Sequence, residues 1–226
     1  MGGRDDNKLK ERGEVVQIKI CGITDQEGFE TCVRCEVDWV GFVFFKHSPR
    51  FITPEQAAAL SLSIKGGPKR VGLFVDPDVD QISHVLRHVN LDVLQLYTDR
   101  QKATFFAQRF YLPVWLSLPI SQFSDLPHLM LQQEKIERVV IEPKPPAKAT
   151  RPGGNGHTME WSLLAKWRPS FSWMLAGGLT PQNVAQAIKQ TGTKAVDVSS
   201  GVEKAPGIKS ADLIECFVKT ARGLIF

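Results

Sequence analysis

WMLAGGLTPQNVAQAIKQTGTKAVDVSS, residues 173–200, contains a complete strand–helix–strand unit. Its first apolar run, 173–177, predicts a buried strand, and Thr180-Pro181 predicts the start of a helix over 181–190. Threonine is a favoured N-cap, and proline at the first helical position lacks only an N–H that has no intrahelical partner. The next apolar run, 195–199, predicts a second strand. This order of elements is typical of parallel sheets.

The same unit recurs along the whole chain. The predicted strands cover residues 15–21, 39–45, 70–75, 93–97, 114–119, 138–142, 173–177 and 195–199. The predicted helices cover residues 25–35, 54–64, 79–89, 101–109, 124–134, 159–167, 181–190 and 210–224. Such alternation allows an open doubly wound sheet or a closed barrel, and eight units favour closure. We therefore predict an α/β protein consisting of a single (β/α)8 TIM barrel with eight parallel strands.

Composition excludes several classes of protein. The chain has 226 residues, 42% of them hydrophobic, which suits one large domain with a substantial core. Its net charge is +4, but 28 basic residues are interspersed with 24 acidic ones and form no basic run, so no nucleic-acid partner is expected. No apolar run reaches the roughly 18 residues of a membrane span, so no membrane partner is expected.

The chain ends and the cysteines complete this outline. Residues 1–14 are polar and lack the apolar stretch of a signal peptide, so we expect a flexible extension, a barrel domain over 15–226 and a cytoplasmic protein. The four cysteines indicate no disulfide framework. Cys32 and Cys35 form a lone CxxC without a second ligand pair, so no metal site is expected.

Polar residues cluster where the predicted strands end, and active sites of such barrels lie at the carboxyl ends of their strands. Alternation along the first strand turns Lys19 and Cys21 into the barrel. We expect Lys19 to form a buried ion pair with Asp197 or Glu142. A Schiff-base role for Lys19, as in an aldolase, is the alternative and requires a depressed pKa.

Small residues follow the last two strands. Gly177-Gly178 and Ser199-Ser200-Gly201 lie where many barrels bind phosphate with backbone N–H groups. Glycine permits the close backbone approach that such a site needs. A third run, Gly153-Gly154-Asn155-Gly156, either joins this phosphate site or is a flexible linker.

Five motifs together resemble the phosphoribosylanthranilate isomerase family. They are Lys19-Ile-Cys-Gly-Ile-Thr24, Gly41-Phe-Val-Phe-Phe45, Ser48-Pro-Arg50, Leu175-Ala-Gly-Gly-Leu179 and Val196-Asp-Val-Ser-Ser-Gly-Val-Glu203. The match runs in order from about Val16 to the C-terminus. The resemblance implies a cofactor-free Amadori rearrangement in tryptophan biosynthesis, an intramolecular oxidoreduction of the aldose–ketose type. A phosphorylated small molecule is the implied partner, and the chain is expected to be a monomer or homodimer.

The resemblance also implies roles for individual residues. Cys21 matches the general base, and Glu142 stands where the family has its aspartate general acid. Arg50 matches the residue that holds the anthranilate carboxylate. Further substrate contacts fall on Gln95, Tyr97 and Asp197, and phosphate contacts on Gly154, Gly177, Gly178, Ser199 and Ser200.

Three departures from the family pattern accompany these matches. Glu142 is one methylene longer than aspartate, Tyr97 replaces a histidine, and Asn155 replaces a threonine. Misplacement of a catalytic group by about 1 Å can cost roughly a hundredfold in rate. A non-catalytic or drifted sugar-phosphate-binding barrel is therefore the second hypothesis. The related histidine-pathway isomerase requires an aspartate where this chain has Cys21.

Overall fold

The computed structural model describes residues 15–127, 135–146, 149, 151–154 and 156–223. The predicted extension over 1–14, Asn155 and most of the predicted helix 124–134 lie outside the described residues. The barrel strands are β1 (Gln17–Cys21), β2 (Trp39–Val43), β3 (Lys69–Val75), β4 (Val93–Tyr97), β5 (Val114–Ile120), β6 (Ile136–Pro143), β7 (Trp173–Leu175) and β8 (Ala195–Val198). The described helices are α1 (Gln26–Arg34), α2 (Pro54–Ser63), α3 (Val79–Leu86), α4 (Arg100–Phe110), α5 (Val184–Thr191) and α6 (Ala211–Arg222).

The eight strands form the closed parallel barrel that the sequence predicts. Each strand pairs with its neighbour in chain order, and β1 pairs with β8 to close the sheet. In that last pairing Lys19 lies opposite Asp197, which brings two predicted site residues from opposite ends of the chain together. None of the helices in the described ranges is long and apolar enough to cross a bilayer.

Four helix starts follow the local sequence signals, whereas the helix predicted to start at Pro181 begins only at Val184, as α5. Thr53 caps α2: its hydroxyl oxygen accepts the backbone N–H of Gln56, and the side-chain oxygen of Gln56 accepts the backbone N–H of Thr53. Asp25, Asp78 and Asp99 cap α1, α3 and α4 in the same way from their side chains. Such caps satisfy backbone N–H groups that the first helical turn leaves without partners.

Two predicted helices differ from the structure. The described start of the predicted helix 124–134 is a 3₁₀ turn, Phe123–Asp125. The predicted helix 159–167 is wrong, because only a 3₁₀ turn, Trp161–Leu164, forms there. Arg168 donates to the carbonyl groups of Leu164 and Trp167, and Pro169 disfavours helical geometry at Arg168. These two carbonyl groups therefore accept from a side chain, and the chain does not continue as an α-helix.

A short hairpin that the sequence analysis did not predict follows β8. Its strands are β9 (Glu203–Ala205) and β10 (Ile208–Lys209), which pair antiparallel. Gly207 in the turn has φ +83, and a Cβ there would collide with the carbonyl oxygen of Pro49. The hairpin is thus fitted against the loop after β2.

The lumen is closed below the site by large side chains. Trp39 and Trp115 meet edge to face at 5.0 Å, and the Arg138 guanidinium lies over both rings. Val71, Val93, Val140, Met174, Ala176 and Ala195 complete this layer. Because the lower lumen is packed, a ligand enters the barrel only at the carboxyl ends of the strands.

Candidate active site

A pocket opens at the carboxyl ends of the barrel strands. It encloses about 660 Å³ of free space, its open mouth included, which is within the range of small-molecule sites. Its lining includes the predicted residues Cys21, Arg50, Tyr97, Glu142, Gly154, Gly177, Gly178, Asp197, Ser199 and Ser200. Gln95 is absent from this lining: it is fully buried and donates its amide to Ser117 Oγ at 3.0 Å.

Cys21 ends β1 beside Lys19. Gly41 of β2 leaves room for both, since a Cβ there would lie 2.9 Å from Cys21 Sγ and 3.2 Å from Lys19 Nζ. Burial raises the pKa of the Cys21 thiol, and the nearby Lys19 ammonium opposes this rise without cancelling it. The free protein therefore holds Cys21 as a thiol at neutral pH.

Lys19 forms the buried ion pair expected of it, and its partner is Asp197. Lys19 Nζ lies 3.0 Å from both carboxylate oxygens. Burial alone would lower the pKa of Lys19, but Asp197 and Cys21 outweigh burial, and the pKa is raised. A Schiff base needs a neutral amine, so the structure disfavours the aldolase alternative.

Buried Glu142 on β6 and partly buried Tyr97 on β4 form a second pair. Burial raises the pKa of the Glu142 carboxyl to about 8. A hydrogen bond from the Tyr97 hydroxyl acts in the opposite direction and lowers this pKa, but burial has the larger effect. Burial and Glu142 raise the pKa of Tyr97 well above its usual value, so its hydroxyl remains a donor. Glu142 Oε1 is buried and has no hydrogen-bond partner among the described residues. Glu142 is therefore mainly protonated at neutral pH and can donate its proton.

The loop after β6 covers this pair. A Cβ at Gly153 would lie 2.7 Å from Glu142 Oε2 and would collide with the Tyr97 hydroxyl. Gly153 thus fits the larger side chains that replace the family's aspartate and histidine. Glu142 and Tyr97, two of the three departures from the family pattern, therefore contact each other, and Gly153 covers both.

Arg50 is buried and forms an ion pair with Glu203. Its Nε and Nη2 donate to the two carboxylate oxygens of Glu203 at 2.6 and 2.9 Å. Its Nη1 lies 3.5 Å from the carbonyl oxygen of Gly154 at the pocket. Gly22, with φ +78, leaves space for the Arg50 side chain. The Arg50 guanidinium is therefore held in place by Glu203. Its Nη1 atom faces the loop that carries Gly154.

Lys209 is a buried cation of the site that sequence analysis missed. Its Nζ donates to Glu203 Oε1 at 2.8 Å and to the Ser199 carbonyl oxygen at 3.0 Å. Ser199 Oγ in turn donates to the carbonyl oxygen of Cys21 at 2.9 Å. The Pro206-Gly207 dipeptide was the available signal, since such pairs mark turns and would have indicated the hairpin that carries Lys209.

The glycines after β7 have the backbone geometry that their position requires. Gly177 has φ +92 and Gly178 has φ +60. A Cβ on Gly178 would lie 2.7 Å from the backbone of His157, so the loop after β6 approaches here closely. A 3₁₀ turn, Ser200–Val202, begins directly after Ser199. Backbone from three loops thus borders one end of the pocket.

Comparison with known proteins identifies the family. The model of N-(5′-phosphoribosyl)anthranilate (PRA) isomerase matches residues 18–220. The chain belongs to this family. N-(5′-phosphoribosyl)anthranilate isomerase of Rhodospirillum rubrum is 46% identical over 211 residues, covering 91% of this chain and 97% of the relative. The isomerase of Paramagnetospirillum magneticum is 45% identical over 210 residues, covering 92% and 98%.

Solved isomerases of the family share the fold. The Thermotoga maritima phosphoribosylanthranilate isomerase aligns with a TM-score of 0.79 at 34% identity, covering 92% of this chain and all of that one. A phosphoribosylanthranilate isomerase in complex with reduced 1-(o-carboxyphenylamino)-1-deoxyribulose 5-phosphate aligns with a TM-score of 0.76 at 33% identity over the same shares.

Proposed function

We propose that this protein catalyses the cofactor-free Amadori rearrangement of N-(5′-phosphoribosyl)anthranilate to 1-(2-carboxyphenylamino)-1-deoxyribulose 5-phosphate in tryptophan biosynthesis. Family membership supports the reaction. The observation that carries the mechanism is that the Glu142 carboxyl, whose pKa burial raises to about 8, lines the same pocket as the Cys21 thiol. Acid–base isomerisation needs one group to give a proton and another to take one.

Glu142 is the general acid of the first step. It donates its proton to the furanose ring oxygen, the C1–oxygen bond breaks, and the nitrogen lone pair forms the C1–nitrogen double bond of an iminium ion. Glu142 is left as a carboxylate, and the Tyr97 hydroxyl stabilises that charge by its hydrogen bond. The iminium ion draws electrons from the neighbouring C2–H bond.

Cys21 is the general base of the second step. Its thiolate takes the C2 proton, and the C–H electrons move into the iminium to give a neutral enolamine, which tautomerises to the ketone product. Burial disfavours the thiolate, and the Lys19 ammonium lowers that cost. The reactive form therefore combines a Cys21 thiolate with a protonated Glu142, and it is a minor form of the free enzyme at neutral pH.

The remaining pocket groups hold the substrate. Arg50 presents Nη1 to the anthranilate carboxylate, a charge-assisted hydrogen bond, while its other nitrogens stay on Glu203. Asp197 accepts hydrogen bonds from ribose hydroxyl groups. The phosphate lies against Gly154, Gly177, Gly178, Ser199 and Ser200, where glycine allows close approach to backbone N–H groups. Gln95 supports this site from beneath the pocket.

Steady-state turnover tests the assignment. Freshly generated N-(5′-phosphoribosyl)anthranilate is followed by its loss of fluorescence with the wild type, Cys21→Ala, Glu142→Gln and Glu142→Asp. We expect the wild type to turn over and both Cys21→Ala and Glu142→Gln to lower kcat by about 10²–10⁴-fold. If the wild type is inactive and the Glu142→Asp variant is active, the result would instead support the second hypothesis, a drifted sugar-phosphate-binding barrel.

Location and assembly follow from the same proposal. A biosynthetic isomerase of this family belongs in the cytoplasm, and we assign it there. The Thermotoga maritima enzyme is described as dimeric and has also been solved as monomers, so both states occur within the family fold. Sedimentation equilibrium of the full chain decides between a monomer and a homodimer here.

A further inference from the structure

Two neighbouring helices on the outside of the barrel bring three metal-ligating side chains together. His84 lies in α3, His88 follows one turn later, and Glu55 lies in the first turn of α2. One imidazole nitrogen from each histidine and one carboxylate oxygen all lie within 4.8 Å of one another. All three side chains are exposed, and none of them lines the active-site pocket.

His88 is already oriented for metal binding. Its Nδ1 lies 2.8 Å from the carbonyl oxygen of His84. Because a carbonyl oxygen only accepts, this bond places the ring proton on Nδ1 and leaves the lone pair of Nε2 free. That Nε2 lies 3.7 Å from Glu55 Oε1. A backbone carbonyl on the second ring nitrogen is the usual support of a metal-binding histidine.

Glu55 supplies the carboxylate ligand. Its own backbone N–H and the Thr53 hydroxyl donate hydrogen bonds to this carboxylate. The ring of His84 packs edge to face on that of His88, with the two centroids 4.8 Å apart. The three ligands therefore converge on one point between α2 and α3.

We propose that Glu55, His84 and His88 bind one divalent ion of a late first-row transition metal such as zinc, with water completing the coordination. Two imidazoles and a carboxylate suit zinc, copper or nickel, whereas magnesium and calcium prefer oxygen ligands throughout. Tetrahedral zinc with ligand bonds of about 2.1 Å needs its ligand atoms about 3.4 Å apart. The exposed side chains reach that spacing by moving roughly 1 Å. The site is independent of the proposed isomerase activity.

Calorimetric titration of the full chain with zinc chloride tests this proposal. The background carries Cys35→Ser and Cys216→Ser, because these two cysteines are the accessible thiols among the described residues. We expect one zinc ion per chain, with affinity weakened at least tenfold by His84→Ala or His88→Ala and less by Glu55→Gln. His47→Ala is the matched control, since it removes an exposed imidazole elsewhere and should leave the affinity unchanged.

Copper loading gives a second readout. The electron paramagnetic resonance spectrum of the Cu²⁺-loaded chain should show coupling to two nitrogens, reduced to one in either histidine variant, while circular dichroism verifies that each variant is folded. Absence of saturable zinc binding, equal binding by the histidine variants, or equally tight magnesium binding would overturn the proposal.

Discussion

Glu142 and Tyr97 matter most at the scale of single residues. The sequence showed each as a separate departure from the family pattern, and only the structure shows that they contact each other. A longer acid and a phenol in place of an imidazole then form one unit beneath Gly153. In the proposed mechanism, the hydrogen bond from Tyr97 stabilises the carboxylate that remains after Glu142 donates its proton.

This contact predicts the pH dependence of the reaction. Below pH 8 the reactive form grows with pH, because Cys21 loses its proton while Glu142 keeps its own. Above about 8 the loss of the Glu142 proton stops that rise. The ascending limb of kcat/KM should therefore level off near pH 8 in the wild type.

Tyr97→Phe removes the hydrogen bond that lowers the pKa of Glu142. We expect the levelling point to move up by about one pH unit, the equivalent of one hydrogen bond. A pH series of kcat/KM for both proteins measures the shift. An unchanged levelling point with a uniformly lower rate would mean that Tyr97 contacts substrate without tuning Glu142.

Strand alternation predicted Lys19 and Cys21 as inward-facing groups. The family resemblance placed Gln95 with Tyr97 among the substrate contacts. Two residues along a strand span about 6.6 Å, however, so Gln95 lies one layer deeper. Periodicity fixes which side a residue faces, but the depth of the pocket depends on the packing of the whole lumen.

At the scale of elements, the β9–β10 hairpin connects two parts of the pocket. Glu203 on β9 holds Arg50, the residue proposed to bind the anthranilate carboxylate, and Lys209 on β10 holds Ser199, which is proposed to contact the phosphate. Glu203 also accepts from Lys209, so one buried carboxylate separates two buried cations. The pKa of Glu203 is lowered because these cations outweigh the opposing effect of burial.

Glu203→Gln should loosen the orientation of Arg50 and raise KM for the natural substrate by about tenfold, the equivalent of one charge-assisted hydrogen bond. N-(5′-phosphoribosyl)aniline, which lacks the carboxylate, provides the control in a steady-state comparison. Its KM should change little, because Arg50 has no carboxylate to hold. An equal rise for both substrates would mean that Glu203 only stabilises the fold.

The hairpin and the 3₁₀ turn Trp161–Leu164 mark the limit of local sequence signals. Strands of the barrel are buried on both faces and were visible as apolar runs. The segment 159–167 has helical periodicity, but the side chain of Arg168 and the following Pro169 end it after one turn. The β9–β10 pair is too short for any periodicity, and only its Pro-Gly turn signals it.

At the scale of the whole molecule, Glu142 makes the stability of the barrel depend on pH. The pKa of Glu142 rises from 4.5 unfolded to about 8 folded, so the folded state binds more protons between these values. The stability contributed by protonated Glu142 is complete below pH 4.5 and is lost as pH rises through 8. The acid proposed for catalysis is therefore also a group whose ionisation opposes folding at alkaline pH.

Glu142→Gln removes this titration. The free energy of unfolding of the variant, relative to the wild type, should increase by on the order of 3 kcal/mol between pH 5 and pH 8. Urea denaturation at both pH values measures this difference. Glu142→Asp keeps a titrating carboxyl and should retain most of the wild-type pH dependence. If the free energies of unfolding of Glu142→Gln and the wild type differ by the same amount at both pH values, the Glu142 carboxyl titrates with an ordinary pKa in the folded protein.

The division of labour between acid and base is the central claim, and deuterium at C2 of the substrate tests it most directly. Slowing the base makes C2–H cleavage limiting, whereas slowing the acid makes ring opening limiting. Single-turnover rates with protiated and deuterated substrate should therefore show a large primary isotope effect in Cys21→Ser and an effect near unity in Glu142→Gln. The reverse pattern, or a primary effect of the same size in both variants, would contradict the assignment of Cys21 as base and Glu142 as acid.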